Sequence, residues 1–151
     1  MNSTSHKIFF PFPKVIIACL SKYPDISQPE ILSVDYINRE YNKENNTISI
    51  ERLFTINWFW FKNIYFIENI FINKSEMTMS NTNITFKNKI FIQENNNYNE
   101  HDDYTLLTQN SVIKGFGGFF SKKIEESYLD GTKNGINLLY KKLGINQTLV
   151  D

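Results

Sequence analysis

An arginine interrupts the apolar face of one predicted strand. In the segment TISIERLFTI, residues 47–56, alternation places Arg52 on the same face as Ile50 and Phe54. A guanidinium that is removed from water needs an anionic or hydrogen-bonding partner. Arg52 can therefore form an internal ion pair, with Asp35 as a candidate partner, or it can bind an anion such as a phosphate group inside a cavity.

A second cation, Lys22, follows the first predicted helix and precedes Tyr23 and Pro24. A cation in this position can complement the negative C-terminal end of the helix dipole. It can also hold a phosphate group inside a cavity, as Arg52 can. Lys22 and Arg52 are thus the two cations that the sequence singles out.

The other reactive residue types form no catalytic or metal-binding pattern. Cys19 lies on the apolar face of the first predicted helix, where a buried thiol is usually structural. His6 and His101 are far apart and share no ligand spacing. Glu125 and Glu126 are adjacent on a helix, so their carboxylates point in different directions, and they suit the helix start. We therefore expect no enzyme activity, no cofactor and no metal.

Composition bounds the organisation and the partners. The chain has 151 residues, and we expect a single domain over residues 1–144 with a short C-terminal tail at 145–151. The formal net charge is zero and no basic stripe is visible, so we expect no nucleic-acid binding. The single cysteine leaves no internal disulfide.

A dense aromatic stretch, INWFWFKNIYFIENIFI at residues 56–72, could contact lipid or form a buried strand. A membrane-spanning helix needs about 20 apolar residues. This stretch is shorter, and Lys62 and Glu68 interrupt it. We therefore predict strand or lipid-contacting surface rather than a membrane span.

Alternating and helical patterns predict an α+β domain. Residues 6–25 form a short strand and a helix that Pro24 ends. Alternating runs then predict a meander of about six strands, joined by short polar turns and a longer polar loop at residues 95–103. Helices commonly cover one face of such a sheet, and a long helix laid across a curved sheet encloses an elongated cavity. This architecture favours binding over catalysis.

A long C-terminal helix is predicted from Ser121, because apolar residues recur there at spacings of three and four. The preceding motif GFGGFF, residues 115–120, lacks the spacing of a phosphate-binding loop and indicates a bend between strand and helix. Gly131 and Gly135 weaken the helix, or they allow another segment to approach it closely.

Several phrases of the sequence resemble the PRELI family, which includes the slowmo branch. They follow one another in the family's order over residues 6–143. The phrases are SKYPD, ILSVDYINREYN, IERLF, YFIENIFINKSEMTMSNTNITF, YTLLTQNSVIKG and IEESYLDGTKNGINLL. The resemblance implies a fold similar to START and phosphatidylinositol-transfer proteins. In that fold a curved antiparallel sheet of about seven strands is closed by a long C-terminal helix over a lipid cavity.

The resemblance also implies a function. It implies a carrier that moves one anionic phospholipid between the outer and inner mitochondrial membranes. Such a carrier works in the intermembrane space, touches membrane surfaces peripherally and forms a heterodimer with a small twin-Cx9C chaperone. The phrases TMSNTNITF and LTQNSVIKG look more like the slowmo branch, whose members resemble phosphatidylserine carriers. We therefore favour phosphatidylserine as the cargo, with phosphatidic acid next.

Three basic residues match headgroup-binding positions of the family. Lys22 stands where phosphatidic acid carriers of the family typically have an arginine, and lysine lacks the bidentate fork of a guanidinium. Arg52 matches the family's strand arginine, and Lys133 matches a basic position in its C-terminal helix. The resemblance thus implies that Lys22, Arg52 and Lys133 bind the lipid headgroup.

The aromatic stretch departs from the family pattern. The family usually has a longer insertion there, which forms a lid over the cavity and touches membrane. Here Trp58, Phe59, Trp60 and Phe61 are either the remnant of that lid, in contact with membrane, or an aromatic turn packed on the core. The lid is therefore reduced, or the gene model lacks a piece. A reduced lid also favours an alternative function, a non-transporting interaction or regulatory module on the same fold.

Overall fold

The computed structural model describes residues 2–58, 61–87, 90–114 and 119–144. Within these ranges the chain forms seven strands and two helices. In chain order they are β1 (Asn2–Ile8), α1 (Phe12–Leu20), β2 (Ile31–Asn42), β3 (Thr47–Trp58), β4 (Phe61–Asn73), β5 (Thr78–Lys87), β6 (Ile90–Glu100), β7 (Thr105–Lys114) and α2 (Phe119–Lys142). Residues 115–118 of the bend predicted at 115–120, the C-terminal tail at 145–151, and Phe59 and Trp60 lie outside the described residues.

All seven strands form one antiparallel sheet in the order β1-β7-β6-β5-β4-β3-β2. Strands β2 to β7 are a simple meander, and β1 adds to the far edge beside β7. The β2–β3 and β3–β4 pairings contain register shifts of the kind that bend strands and increase their twist. The predicted α+β class and the number of strands are confirmed.

Helix α1 packs one face against one end of the sheet. Pro11 precedes the helix and Pro13 lies in its first turn, where a missing N–H costs little. The buried face of the helix carries Phe12, Val15, Ile16 and Cys19. These side chains share one apolar cluster with strand residues and with the end of α2; its other buried members include Ile50, Ile70, Ile72, Met79, Leu107, Leu139 and Leu143.

Both helices lie on the concave face of the sheet, and α2 crosses the end that α1 leaves uncovered. Ile124 of α2 packs with Ile90 and Ile92 of β6 in a second buried apolar cluster. The two apolar clusters therefore lie at opposite ends of the concave face, and polar residues lie between them. Among the described helices, none is long and apolar enough to cross a membrane.

The predicted polar loop at residues 95–103 is wrong over residues 95–100, because β6 continues to Glu100. Polar residues remain in the strand here because side chains facing the concave side find partners. Asn96 is buried and donates a hydrogen bond to Glu94, and Tyr98 is buried in the cluster beneath α1. The side chains of this segment alternate between the two faces of the sheet, and the polar composition masks that alternation in the sequence.

Candidate functional site

A cavity of about 450 Å³ lies between the concave face of the sheet and the two helices. This volume is in the range of sites that bind small ligands, about 300–1,000 Å³. The mouth of the cavity is marked by lining residues that are half-buried or exposed. They lie in the α1–β2 connection, at the end of β3 and in the middle of α2. These mouth residues include Gln28, Glu30, Asn57, Asp130 and Asn134.

A row of polar side chains crosses the concave face between the two apolar clusters, and we call it the polar belt. It consists of Arg52 on β3, Glu68 on β4, Asn81 and Asn83 on β5, Glu94 and Asn96 on β6, and Gln109 on β7. All seven line the cavity. The strand registers place the belt in two adjacent rows, which interrupt the apolar faces of five neighbouring strands. The first row is Arg52, Glu68, Asn83 and Glu94, and the second is Asn81, Asn96 and Gln109.

Arg52 is only 2% exposed and lies at one end of the belt. Its Nε donates a hydrogen bond of 2.5 Å to Glu68 Oε2, and its Nη1 donates one of 3.0 Å to the backbone oxygen of Leu20. Burial lowers the pKa of Arg52, but the hydrogen bond and the charge of Glu68 outweigh this effect and raise the pKa above its ordinary value. The guanidinium therefore stays charged inside the protein.

The ion-pair partner of Arg52 is Glu68, and the suggested partner Asp35 is wrong. In the β3–β4 register Arg52 stands directly opposite Glu68. Asp35 pairs with Leu53, whose side chain points to the opposite face of the sheet from Arg52. The other oxygen of Glu68, Oε1, accepts a hydrogen bond of 2.5 Å from Asn81 Nδ2.

Lys22 reaches the cavity from the end of α1. The helix ends at Leu20 with no basic residue in its last turn, so Lys22 is a cavity residue rather than part of the helix end. Its Nζ lies 4.8 Å from the ring centroid of Tyr23. A Cβ placed at Gly135 would lie 3.6 Å from Lys22 Nζ and 2.8 Å from Tyr23 Oη. The glycine in α2 thus permits the close approach that the sequence suggested as one explanation.

Lys22 remains a cation in these surroundings. Burial lowers the pKa of its ammonium, but negatively charged neighbours act in the opposite direction and leave the pKa raised. The neighbours that act in this direction are the acidic groups of Tyr23, Cys19, Glu94 and Glu68. No ion pair to Lys22 forms within the described part of the chain. A cation that faces a cavity without a bonded counterion can receive an anionic ligand.

Glu94 accepts hydrogen bonds from three neutral donors. Its Oε1 accepts bonds of 2.5 Å from Asn96 Nδ2 and 3.2 Å from Asn83 Nδ2. Its Oε2 accepts a hydrogen bond from the hydroxyl of Tyr128, which lies on α2. Burial together with the charge of Glu94 raises the pKa of Tyr128, so this hydroxyl keeps its proton. The bond connects α2 to the sheet across the cavity.

Two carbonyl oxygens of the belt have no hydrogen-bond donor in the part of the chain that the structure describes. Gln109 Nε2 donates a hydrogen bond of 3.0 Å to Asn96 Oδ1, which leaves Gln109 Oε1 without a partner among the described residues. Asn81 Oδ1 is likewise unpaired within those residues. Unpaired buried acceptors are uncommon in folded proteins, because each gives up hydrogen bonds to water.

The remaining residues predicted to contact lipid or membrane lie in different places. Lys133 is exposed on α2 and does not line the cavity. Trp58 lines the cavity, and its Nε1 donates a hydrogen bond of 2.9 Å to Ser127 Oγ. Trp58 and Phe61 both pack against the second apolar cluster, around Ile92. For these two residues the packing agrees with an aromatic turn on the core, and a role at the membrane stays a prediction.

Glu68 and Glu94 were missed in the sequence as cavity residues. Glu68 carries the same signal that marked Arg52, since it interrupts an alternating apolar face between Phe66 and Ile70. Glu94 follows Ile92 in the same phase of β6. The period-two pattern could have found both carboxylates.

Residues 13–139 match the PRELI-like family. The chain belongs to the PRELI-like family. This finding confirms the family resemblance of the ordered phrases, and the match spans both cavity cations, Lys22 and Arg52.

Two relatives illustrate the similarity. Protein UPS2, mitochondrial, of Saccharomyces cerevisiae is 25% identical over 129 residues, which cover 75% of this chain and 56% of the relative. A protein slowmo homolog of Dictyostelium discoideum is 26% identical over 127 residues, with the same coverage of 75% and 56%. The chain thus spans about half the length of these curated relatives.

Solved structures share the fold at low sequence identity. Ara h 8.0201 superposes with a TM-score of 0.59 at 12% identity, covering 95% of this chain and 97% of that chain. TTHA0849 from Thermus thermophilus superposes with a TM-score of 0.56 at 10% identity, covering 93% of this chain and 92% of that chain. The likeness confirms the predicted START-like fold.

Proposed function

We propose that this chain is a non-catalytic carrier that moves one anionic phospholipid between the mitochondrial outer and inner membranes. The observation that supports it most is the cavity, whose apolar ends flank a polar belt and an ammonium, Lys22, without a bonded counterion. A phospholipid has the same distribution of chemistry, with a phosphate group attached to apolar chains. Membership of the PRELI-like family supports lipid transport at mitochondria in general.

The phosphate group lies on Lys22 in this proposal. Arg52 is already bonded to Glu68 and to a backbone oxygen, but a guanidinium has five N–H donors, and the remaining ones can still face a ligand. Lys133 is exposed on α2 and acts at the membrane instead, where a lysine near an anionic surface contributes about 1 kcal/mol of attraction.

The acyl chains occupy the apolar ends of the cavity. Each methylene exposed to water costs about 0.8 kcal/mol, so a lipid can leave the membrane only if the protein covers its chains and offsets this cost. A cavity of about 450 Å³ suits a drug-sized ligand, and a two-chain phospholipid is larger. Uptake therefore requires α2 to move away from the sheet, or the chain ends to leave through the mouth.

The location, partner and cargo follow the family. We propose the intermembrane space, with a small twin-Cx9C chaperone as the heterodimer partner and peripheral contact with membrane surfaces. Phosphatidylserine is the favoured cargo and phosphatidic acid is next. One relative is named mitochondrial, which supports the location, and one is named a slowmo homolog, which supports the slowmo branch.

Transfer of fluorescent phospholipids between liposomes tests the proposal. The protein is assayed with and without a twin-Cx9C partner, with phosphatidylserine and phosphatidic acid in separate donor vesicles. Selective transfer of either lipid supports the carrier function and identifies the cargo. No transfer by the folded, partner-bound protein would refute it.

The short β3–β4 connection favours a second candidate, a non-transporting interaction or regulatory module. Strand β3 ends at Trp58 and β4 begins at Phe61, and these two residues are paired in the sheet. A long lid cannot form between strands that are joined so closely. This candidate predicts a partner complex that forms normally while no lipid copurifies or transfers.

A further inference from the structure

The cavity contains one cation and one anion that are not bonded to each other. Four charged side chains line it away from the mouth: Lys22, Arg52, Glu68 and Glu94. Arg52 and Glu68 form a buried ion pair. Lys22 and Glu94 form no ion pair with each other or with another described residue, although the charge of Glu94 reaches Lys22. A phosphate group alone would satisfy Lys22 and leave Glu94 facing an anionic ligand.

Around Glu94 there are more hydrogen-bond acceptor positions than described donors. A carboxylate offers about four acceptor positions, and three described donors, all neutral, use them. Asn81 Oδ1 and Gln109 Oε1 are additional acceptors without donors in the described chain. Asn81 and Gln109 are both paired in register with Asn96, which places each diagonally across from Glu94, at about 7–8 Å. Asn81 lines the same cavity as Glu94 and is only 5% exposed, so a ligand in the cavity can supply the missing donor.

We propose that Glu94, with the carbonyl oxygens of Asn81 and Gln109, binds the primary ammonium of a phospholipid headgroup whose phosphate lies on Lys22. This inference rests on the proposed carrier function and assigns its headgroup selectivity to one side chain. An ammonium has three N–H donors, and the carboxylate and two carbonyl oxygens are the acceptors that match it. Phosphoserine and phosphoethanolamine headgroups share this chemistry, and phosphatidic acid lacks it.

The test is liposome transfer by the partner-bound protein with four fluorescent lipids in parallel: phosphatidylserine, phosphatidylethanolamine, phosphatidylcholine and phosphatidic acid. We expect faster transfer of at least one primary-amine lipid than of phosphatidic acid or phosphatidylcholine, whose quaternary ammonium has no N–H. The phosphatidylserine and phosphatidylethanolamine arms show which of the two sources of the amine is used. This comparison uses the wild-type chain and requires no variant to fold.

The variant Glu94→Gln keeps the shape of the side chain and removes its charge. We expect it to slow transfer of the amine lipid by about tenfold or more relative to phosphatidic acid, because a hydrogen bond to a charged group is lost. Glu126→Gln makes the same change on the exposed face of α2 and should leave all four rates unaltered. Tyr128→Phe removes the bond between α2 and Glu94 but keeps the charge, so it should leave the amine-to-phosphatidic-acid ratio unaltered.

The outcomes separate this inference from the carrier function. Wild-type transfer of phosphatidic acid alone, or equal transfer of all four lipids, overturns the amine subsite and leaves the carrier function standing. A Glu94→Gln variant that slows every lipid equally also overturns it, because a structural role predicts that result. No transfer of any lipid by the wild-type complex refutes the carrier function itself.

Discussion

Replacing Arg52 with methionine removes one partner of the buried ion pair and leaves Glu68 without its cation. Glu68 is only 4% exposed, so hydration compensates its carboxylate poorly for the lost guanidinium. Breaking such a pair from one side typically costs about 3–5 kcal/mol. A domain of this size has a free energy of unfolding of about 5–15 kcal/mol, so Arg52→Met is predicted to remove a large part of it.

Urea unfolding, followed by tryptophan fluorescence, measures this cost. With a dependence on urea of about 1–3 kcal/mol per molar, the midpoint should fall by roughly 2 M. Arg39→Met is the matched control, since Arg39 is exposed and lies over the ring of Tyr36, and its loss should cost no more than about 1 kcal/mol. The double variant Arg52→Met with Glu68→Met should regain most of the stability. A midpoint for Arg52→Met equal to that of Arg39→Met would refute the reasoning.

Two further predictions concern α2 and the α1–β2 connection. Gly135→Ala should displace Tyr23, whose Oη would lie 2.8 Å from the new Cβ, and should therefore slow lipid transfer. A Cβ at Gly131 would meet nothing within 4 Å, so Gly131→Ala should raise the free energy of unfolding by about 1 kcal/mol, as measured in thermal melts. Equal transfer by both variants would contradict the first part. Bonds from Ser27 and Lys142 lower the pKa of Asp25 below its ordinary 3.8, so their stabilisation is fully present above that pH and is lost progressively as the pH falls through the lowered pKa. Asp25→Asn should therefore lower the melting temperature at neutral pH and not in strong acid, and an equal loss at both would contradict this assignment.

The burial of Arg52 could be predicted from sequence, and its partner could not. Alternation in β3 put the guanidinium on the apolar face. Either neighbouring strand could supply the anion, and the choice depends on register. The bulges in the β2–β3 pairing place Asp35 opposite Leu53, on the other face, and no local pattern announces such a shift.

The polar belt shows where sequence reasoning stops. Asparagine and glutamate are typical of turns and surfaces, so the run of asparagines in β6 predicted a loop. Only the pairing of β6 with both β5 and β7 gives these side chains partners in the interior. The place of Lys22 after the first helix left two interpretations open, a cation at the helix end or a cavity residue; the family resemblance favoured the cavity, and the structure places Lys22 there.

The most direct test of the central claim is phospholipid transfer between liposomes by the wild-type chain and by Lys22→Glu. Lys43→Glu, in the exposed β2–β3 turn, is the control for the same reversal of charge away from the cavity. If the phosphate lies on Lys22, then Lys22→Glu abolishes transfer, and Lys43→Glu transfers lipid at the wild-type rate. Both variants should fold as the wild type does. Transfer at the wild-type rate by folded Lys22→Glu would contradict the account.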